Sequence, residues 1–159
     1  MTMVLVVDDD PDIQLLLRLE LSAEGYDVET ADDGYAAVER VPLLRPDVVL
    51  LDVMMPGLDG WGVLEQLDHP LPAVIVVSGL ATDRDEHYRH AIEKGALGFV
   101  SKPFDSAKLL ELIATAVELD AEQRTAFRDW LLAGAPSAAD DHDDTDTDTD
   151  DDDTDEGSR

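Results

Sequence analysis

Cysteine is absent from this chain, so no disulfide, thiolate metal site or thiol nucleophile can be built. Basic residues are scarce. Three Lys and eight Arg face 38 Asp and Glu, for a formal net charge of −27. That balance argues against direct nucleic-acid binding, which needs Lys and Arg on phosphates, and against an anionic membrane surface. Long apolar runs are missing too. The longest, between Leu71 and Ala81, is broken by Pro72, Ser78 and Gly79 and is too short to span a bilayer. The start, Met1-Thr2-Met3-Val4, has no basic flank and does not read as a secretory signal. These absences predict a soluble, cytoplasmic protein without membrane insertion.

What is present suffices for one globular domain. The chain has 159 residues, 44% of them hydrophobic. The acid is unevenly spread. Residues 140–156 hold eleven Asp and one Glu, much of it as Asp-Thr alternation with nothing to bury. Residues 136–159 are therefore expected to be a disordered acidic tail. It reads as a solvating extension or, more sharply, as an electrostatic arm for a basic partner. The remainder is acidic as well. Abundant Asp with little Lys resembles the composition of proteins from salt-loving archaea, whose surface repulsion is screened because the Debye length in molar salt is ~3 Å.

Along the chain, short β-branched runs alternate with helical stretches. Strands are expected at 4–7, 27–31, 47–51, 73–77 and 97–100. Helices are expected at 11–21, 34–41 (stopped by Pro42), 60–67, 83–94 and 106–119. Asp10 and Pro11 supply an N-cap and a first helical residue. The strand at 27–31 is the more polar one and belongs at an edge. Five βα units in succession predict a parallel, doubly wound α/β sheet covered on both faces, spanning residues 1–119. A further helix is expected within 120–135, opened by an Asp120/Gln123 capping box, with Phe127, Trp130 and Leu131 on one face.

Chemistry concentrates at strand ends, where open α/β sheets bind ligands. Asp8-Asp9-Asp10 follow the first apolar run. Asp52 follows Val48-Val49-Leu50-Leu51 and precedes Met54-Met55-Pro56-Gly57. Ser78 follows Val74-Ile75-Val76-Val77, and Lys102 follows Phe99-Val100-Ser101. Each group alone has a bland explanation: a turn former, a helix cap, a solvated lysine, a loop serine. Asp10 is assigned mainly to capping, and Asp59-Gly60 to a turn before a helix. Four strand ends carrying acids, a hydroxyl and an amine instead describe a site for a metal and a phosphoryl group.

Val6-Val7-Asp8-Asp9-Asp10-Pro11, Leu51-Asp52-Val53-Met54-Met55-Pro56-Gly57, Val77-Ser78 and Lys102-Pro103-Phe104, in that order, resemble the receiver domain of two-component response regulators. The resemblance covers roughly residues 3–119. It implies a flavodoxin-like strand order 2-1-3-4-5. It implies that Asp52 is the phosphoacceptor, with a Mg²⁺ cofactor held by Asp8, Asp9, Asp52 and the backbone carbonyl of Met54. Lys102 and Ser78 would contact the phosphoryl group, and Ser78 with Phe99 would form the switch. The Lys102–Pro103 bond is expected to be cis, as in the family. A sensor histidine kinase or phosphotransfer protein would donate the phosphoryl group, and a downstream protein partner would read it. The face for that partner would be residues 83–94, 97–100 and 106–119.

Forty residues after position 119 leave no room for a helix-turn-helix module, so a stand-alone receiver is expected. It would be a phosphoacceptor with assisted self-phosphorylation, not an enzyme. An aspartate-nucleophile phosphatase would want a second carboxylate two residues after Asp52. Met54 stands there and moves no proton, so self-dephosphorylation is expected to be slow. A flavodoxin-like ligand-binding module would want a Gly- or Ser/Thr-rich phosphate loop in place of Asp8-Asp9-Asp10. Two departures from the family bear on the switch: Gly79 where Ala is frequent, and a slightly longer segment 80–85. Trp61 is read as helix packing, and His87 with His90 as a solvated face.

Overall fold

The computed structural model describes residues 1–79 and 84–134. Its elements are β1 (Met3–Val7), α1 (Pro11–Ala23), β2 (Asp27–Ala31), α2 (Gly34–Leu44), β3 (Val48–Leu51) and α3 (Gly60–Gln66). They continue as β4 (Ala73–Ser78), α4 (Arg84–Glu93), β5 (Gly98–Ser101), α5 (Ser106–Glu118) and α6 (Ala121–Leu132). The strands form one parallel sheet in the order β2-β1-β3-β4-β5. β2, the most polar strand, lies at an edge, as its composition predicts.

Unbroken apolar runs make sense here because successive side chains point to opposite faces and both faces are covered. Leu5, Val7, Val49, Leu51, Val74 and Val76 pack on one side with Ala37 of α2, Val63 of α3 and Ala91 of α4. Val4, Val6, Val48, Leu50, Ile75 and Val77 pack on the other with Leu17 of α1 and Leu109 and Ile113 of α5. Each fully buried side chain of this kind is worth about 1.5–3 kcal/mol.

Part of the acid surplus is structural. Asp10, Asp33, Asp59, Asp105 and Asp120 cap α1, α2, α3, α5 and α6, each accepting a backbone N–H. A carboxylate there also meets the positive end of the helix dipole. The capping box expected at Asp120 and Gln123 forms in both directions, at 2.8 and 2.9 Å.

One helix end differs from expectation. α2 does not stop at Pro42 but runs through it to Leu44. A proline near the last turn removes only one donor. Arg45, in the left-handed conformation at φ 51°, closes the helix by giving its N–H to the Val41 carbonyl.

α6 packs against α4, and its face divides. Phe127 packs onto the core at the α5 side, Leu131 is half-buried and Trp130 stays exposed. Arg124 fastens the helix by donating to the carbonyls of Leu119 and Leu71. Residues 80–83 of the longer segment 80–85, and the acidic tail, lie outside the described residues.

Candidate functional site

Four strand ends converge at the carboxyl edge of the sheet. The backbone brings them there. Asp52 N–H donates to the Val7 carbonyl at 2.9 Å and Asp8 N–H to the Ala31 carbonyl at 3.2 Å. Lys102 N–H donates to the Ser78 carbonyl at 2.8 Å, so the lysine is tied to the end of β4. The Lys102–Pro103 bond is cis.

The side chains meet as follows. Lys102 Nζ lies 2.6 Å from Asp8 Oδ2 and 3.1 Å from Asp52 Oδ2. Asp8 Oδ1 accepts the Asp10 N–H and Asp52 Oδ1 accepts the Met54 N–H, both at 2.9 Å. Asp8 and Asp52 are buried, while Asp9 is exposed at the rim. Carboxylate oxygens of Asp8, Asp9 and Asp52 lie within 4.8 Å of one another, the only such metal-ligating group among the described residues. Three carboxylates against one ammonium leave two negative charges in a small volume. Hard oxygen donors with that charge suit a small divalent cation.

Burial raises the Asp52 pKa above its ordinary 3.8, opposed by the Met54 N–H and by Lys102 and assisted by the Asp8 charge. Burial alone would lower Lys102, but its hydrogen bonds to Asp8 and Asp52 and their charges outweigh it, and its pKa is raised. Lys102 therefore stays cationic. Ser78 is fully buried and its Oγ has no hydrogen-bond partner among the described residues, an arrangement costly unless something else uses that hydroxyl.

The remaining sequence candidates fall around this centre. Phe99 is half-buried against the core on the α3–α4 side. The Met54 side chain is exposed, leaving its backbone at the site. Trp61 packs partly into the core and meets His90 edge to face at 4.5 Å between ring centroids. His90 is thus an aromatic neighbour, outside the carboxylate cluster. Asp10 caps α1, as expected, and Asp59, expected in a turn before a helix, caps α3.

Three contributors escape sequence reasoning. Gln14 donates to the Asp8 carbonyl and, at 2.9 Å, to Asp32, fixing the loop that carries the acids. Ser101, beside Lys102, has a buried hydroxyl without a partner. Gly60 is required by packing: a Cβ there would stand 2.5 Å from the Asp52 carbonyl oxygen and 2.6 Å from Val53 Cα. The Asp-Gly pair signalled a turn, but nothing in the sequence signalled that close approach.

A 2-1-3-4-5 parallel sheet with buried acids at two strand ends, a lysine bridging them and a hydroxyl alongside defines a phosphoacceptor module of the two-component type. The comparisons agree. A model of the response regulator receiver domain matches residues 4–114, and the chain belongs to that family. It is 38% identical over 117 residues to the transcriptional regulatory protein KdpE of Mycobacterium tuberculosis, covering 74% of this chain and 51% of that protein. It is 39% identical over 107 residues to the DNA-binding response regulator MtrA of Mycolicibacterium smegmatis, covering 67% and 46%. Among solved structures, the response regulator domain of Thermotoga maritima CheB superposes with a TM-score of 0.68 at 33% identity, covering 76% of this chain and 98% of that one. The chain spans about half the length of the curated relatives it matches. Family membership sets aside the phosphatase and flavodoxin-like alternatives: receiver domains are phosphoacceptor switches.

Proposed function

We propose that Asp52 accepts a phosphoryl group from the phosphohistidine of a sensor histidine kinase or a phosphotransfer protein. The observation that carries this reading is Lys102 Nζ held between Asp8 and Asp52 beside the three-carboxylate cluster. An Asp52 carboxylate oxygen bonds to phosphorus while the P–N bond breaks and the imidazole nitrogen keeps its electron pair. The product is an acyl phosphate. Asp8, Asp9, Asp52 and the Met54 carbonyl would hold Mg²⁺, which when bound neutralises charge on the transferring group. Lys102 turns its ammonium from Asp52 to a phosphoryl oxygen, and the Ser78 hydroxyl gains the partner it lacks. Phe99 is half-buried against the core on the α3–α4 side, where such a change can alter the α4–β5–α5 face. Met54 offers no carboxylate to activate water, so the acyl phosphate is lost slowly.

Partners follow from surfaces. Leu15, Leu16 and Leu19 on α1 are 57, 43 and 63% exposed on the helix that begins just after Asp10, an apolar approach for the phosphodonor protein. The downstream protein partner would use the α4–β5–α5 face, with α6 as part of that surface. Direct nucleic-acid contact is not proposed for these residues: their charge opposes it, although MtrA is named as DNA-binding. No described helix is long and apolar enough to cross a membrane, and a cytoplasmic location suits a kinase-fed receiver.

Incubation with a small-molecule phosphodonor and Mg²⁺ should add one phosphoryl mass on Asp52, stable in acid and labile in base. The addition should vanish in Asp52→Asn and without the metal. An unmodified wild-type chain, or equal modification of Asp52→Asn, overturns the assignment.

A further inference from the structure

On so acidic a chain, arginines without a carboxylate partner stand out. Among the described residues, Arg40, Arg89, Lys94 and Lys102 are each in an ion pair. Arg45, Arg124 and Arg128 are in none, and all three line two adjoining clefts of about 640 and 450 Å³. The clefts share the wall formed by residues 69–72 and Arg124, so they make one groove at the amino edge of the sheet. Arg18 and Lys108 also lack ion pairs but line neither cleft.

Among the described residues, no carboxylate forms an ion pair with these three arginines. Arg124 gives two of its N–H donors to the Leu119 and Leu71 carbonyls, neutral acceptors that leave its charge in place. Arg128 Nε is buried and has no acceptor. Arg45 is exposed at the end of α2. His69 faces both clefts, and Asp68 is the single lining acid in the pair. An anionic ligand with many carboxylates, arriving as a chain, fits three guanidinium groups spread along a groove.

We infer that the acidic segment 140–156 of this same chain docks in this groove. Three arguments select it over other anions. The first is complementarity: twelve acids in seventeen residues meet three unpaired arginines, while the rest of the surface repels them. The second is reach. Ala121 lines the groove, and α6 carries the chain ~18 Å from there to its end. The six residues that follow Gly134, as far as Asp140, allow a reach of ~20 Å, enough to return. The third is tethering, which gives a short linked segment an effective concentration of order millimolar. The groove lies at the opposite sheet edge from Asp52, so docking leaves the phosphoacceptor crevice open. The contact is electrostatic and weakens as salt shortens the Debye length from ~10 Å at 0.1 M to ~3 Å at 1 M.

The absence of cysteine makes the test clean. A nitroxide on Thr147→Cys labels one site in the full, isotope-labelled chain. At the lowest salt that keeps the amide spectrum dispersed, the amides of Arg45, His69, Leu71 and Arg124 should lose most of their intensity. Molar salt should restore it. Arg45→Gln with Arg128→Gln should also restore it, whereas Arg45→Lys with Arg128→Lys should keep the broadening. Absent broadening, broadening centred elsewhere, or broadening that survives molar salt overturns the inference. So does broadening seen equally when nitroxide and isotope are on different copies, which would assign the groove to a second molecule.

Discussion

Asp52 is a carboxylate that folding makes uncomfortable. Its raised pKa means the folded state disfavours its charge relative to the unfolded chain. The penalty is therefore full above the folded pKa, shrinks as pH falls through it, and vanishes below the ordinary 3.8. In metal-free protein at neutral pH, Asp52→Asn should raise the melting temperature, by on the order of 1 kcal/mol of stability. The gap should close in acid. A gap that widens toward acid, followed by thermal melts across pH, would contradict this. Lys102→Met should do the reverse. It leaves Asp8 and Asp52 buried without their cation, a loss of about 3 kcal/mol for a broken buried pair. Mg²⁺ should recover more stability in Lys102→Met than in wild type, since it replaces the missing charge. Asp8, Asp9, Asp52, Ser78 and Lys102 were legible in the sequence because apolar runs mark the strand ends that carry them. Gln14 and Ser101 were not, because their roles come from what folding places beside them.

At the scale of elements, the sequence marks type better than termini. The five strands and six helices of the described residues follow from alternating β-branched runs and helical spacing, and the Asp caps at 10 and 120 announce two helix starts. Pro42 misleads because its cost depends on its distance from the helix end, and Arg45 supplies an end that no glycine advertises. Gly60 shows the same limit. α3 begins directly on the chain leaving Asp52, and only a missing side chain allows it. Gly60→Ala gains up to about 1 kcal/mol of helix propensity. It must still push backbone aside, so it should destabilise the protein and lower phosphoryl incorporation at Asp52. An unchanged melt with unchanged incorporation would show that α3 shifts freely.

At the scale of the molecule, charge and topology govern. A net charge of −27 on 159 residues stores self-repulsion that salt relieves. The melting temperature should rise steadily from low to molar salt, by roughly 3–6 °C for each kcal/mol of repulsion removed from a domain this size. A falling melting temperature would show that specific ion pairs outweigh the general repulsion. The strand order has a separate, kinetic consequence. After β2 and β1 pair, the sheet grows in one direction only, with β3, β4 and β5 each added to the last open edge. None of these pairings is a hairpin, so each must wait for a helical crossover, and such non-local closure is slow. Asp8 waits 94 residues for the lysine that steadies it. A chain emerging from the ribosome therefore carries its acids long before it carries their cation, and competence to accept a phosphoryl group arrives only with the last strand.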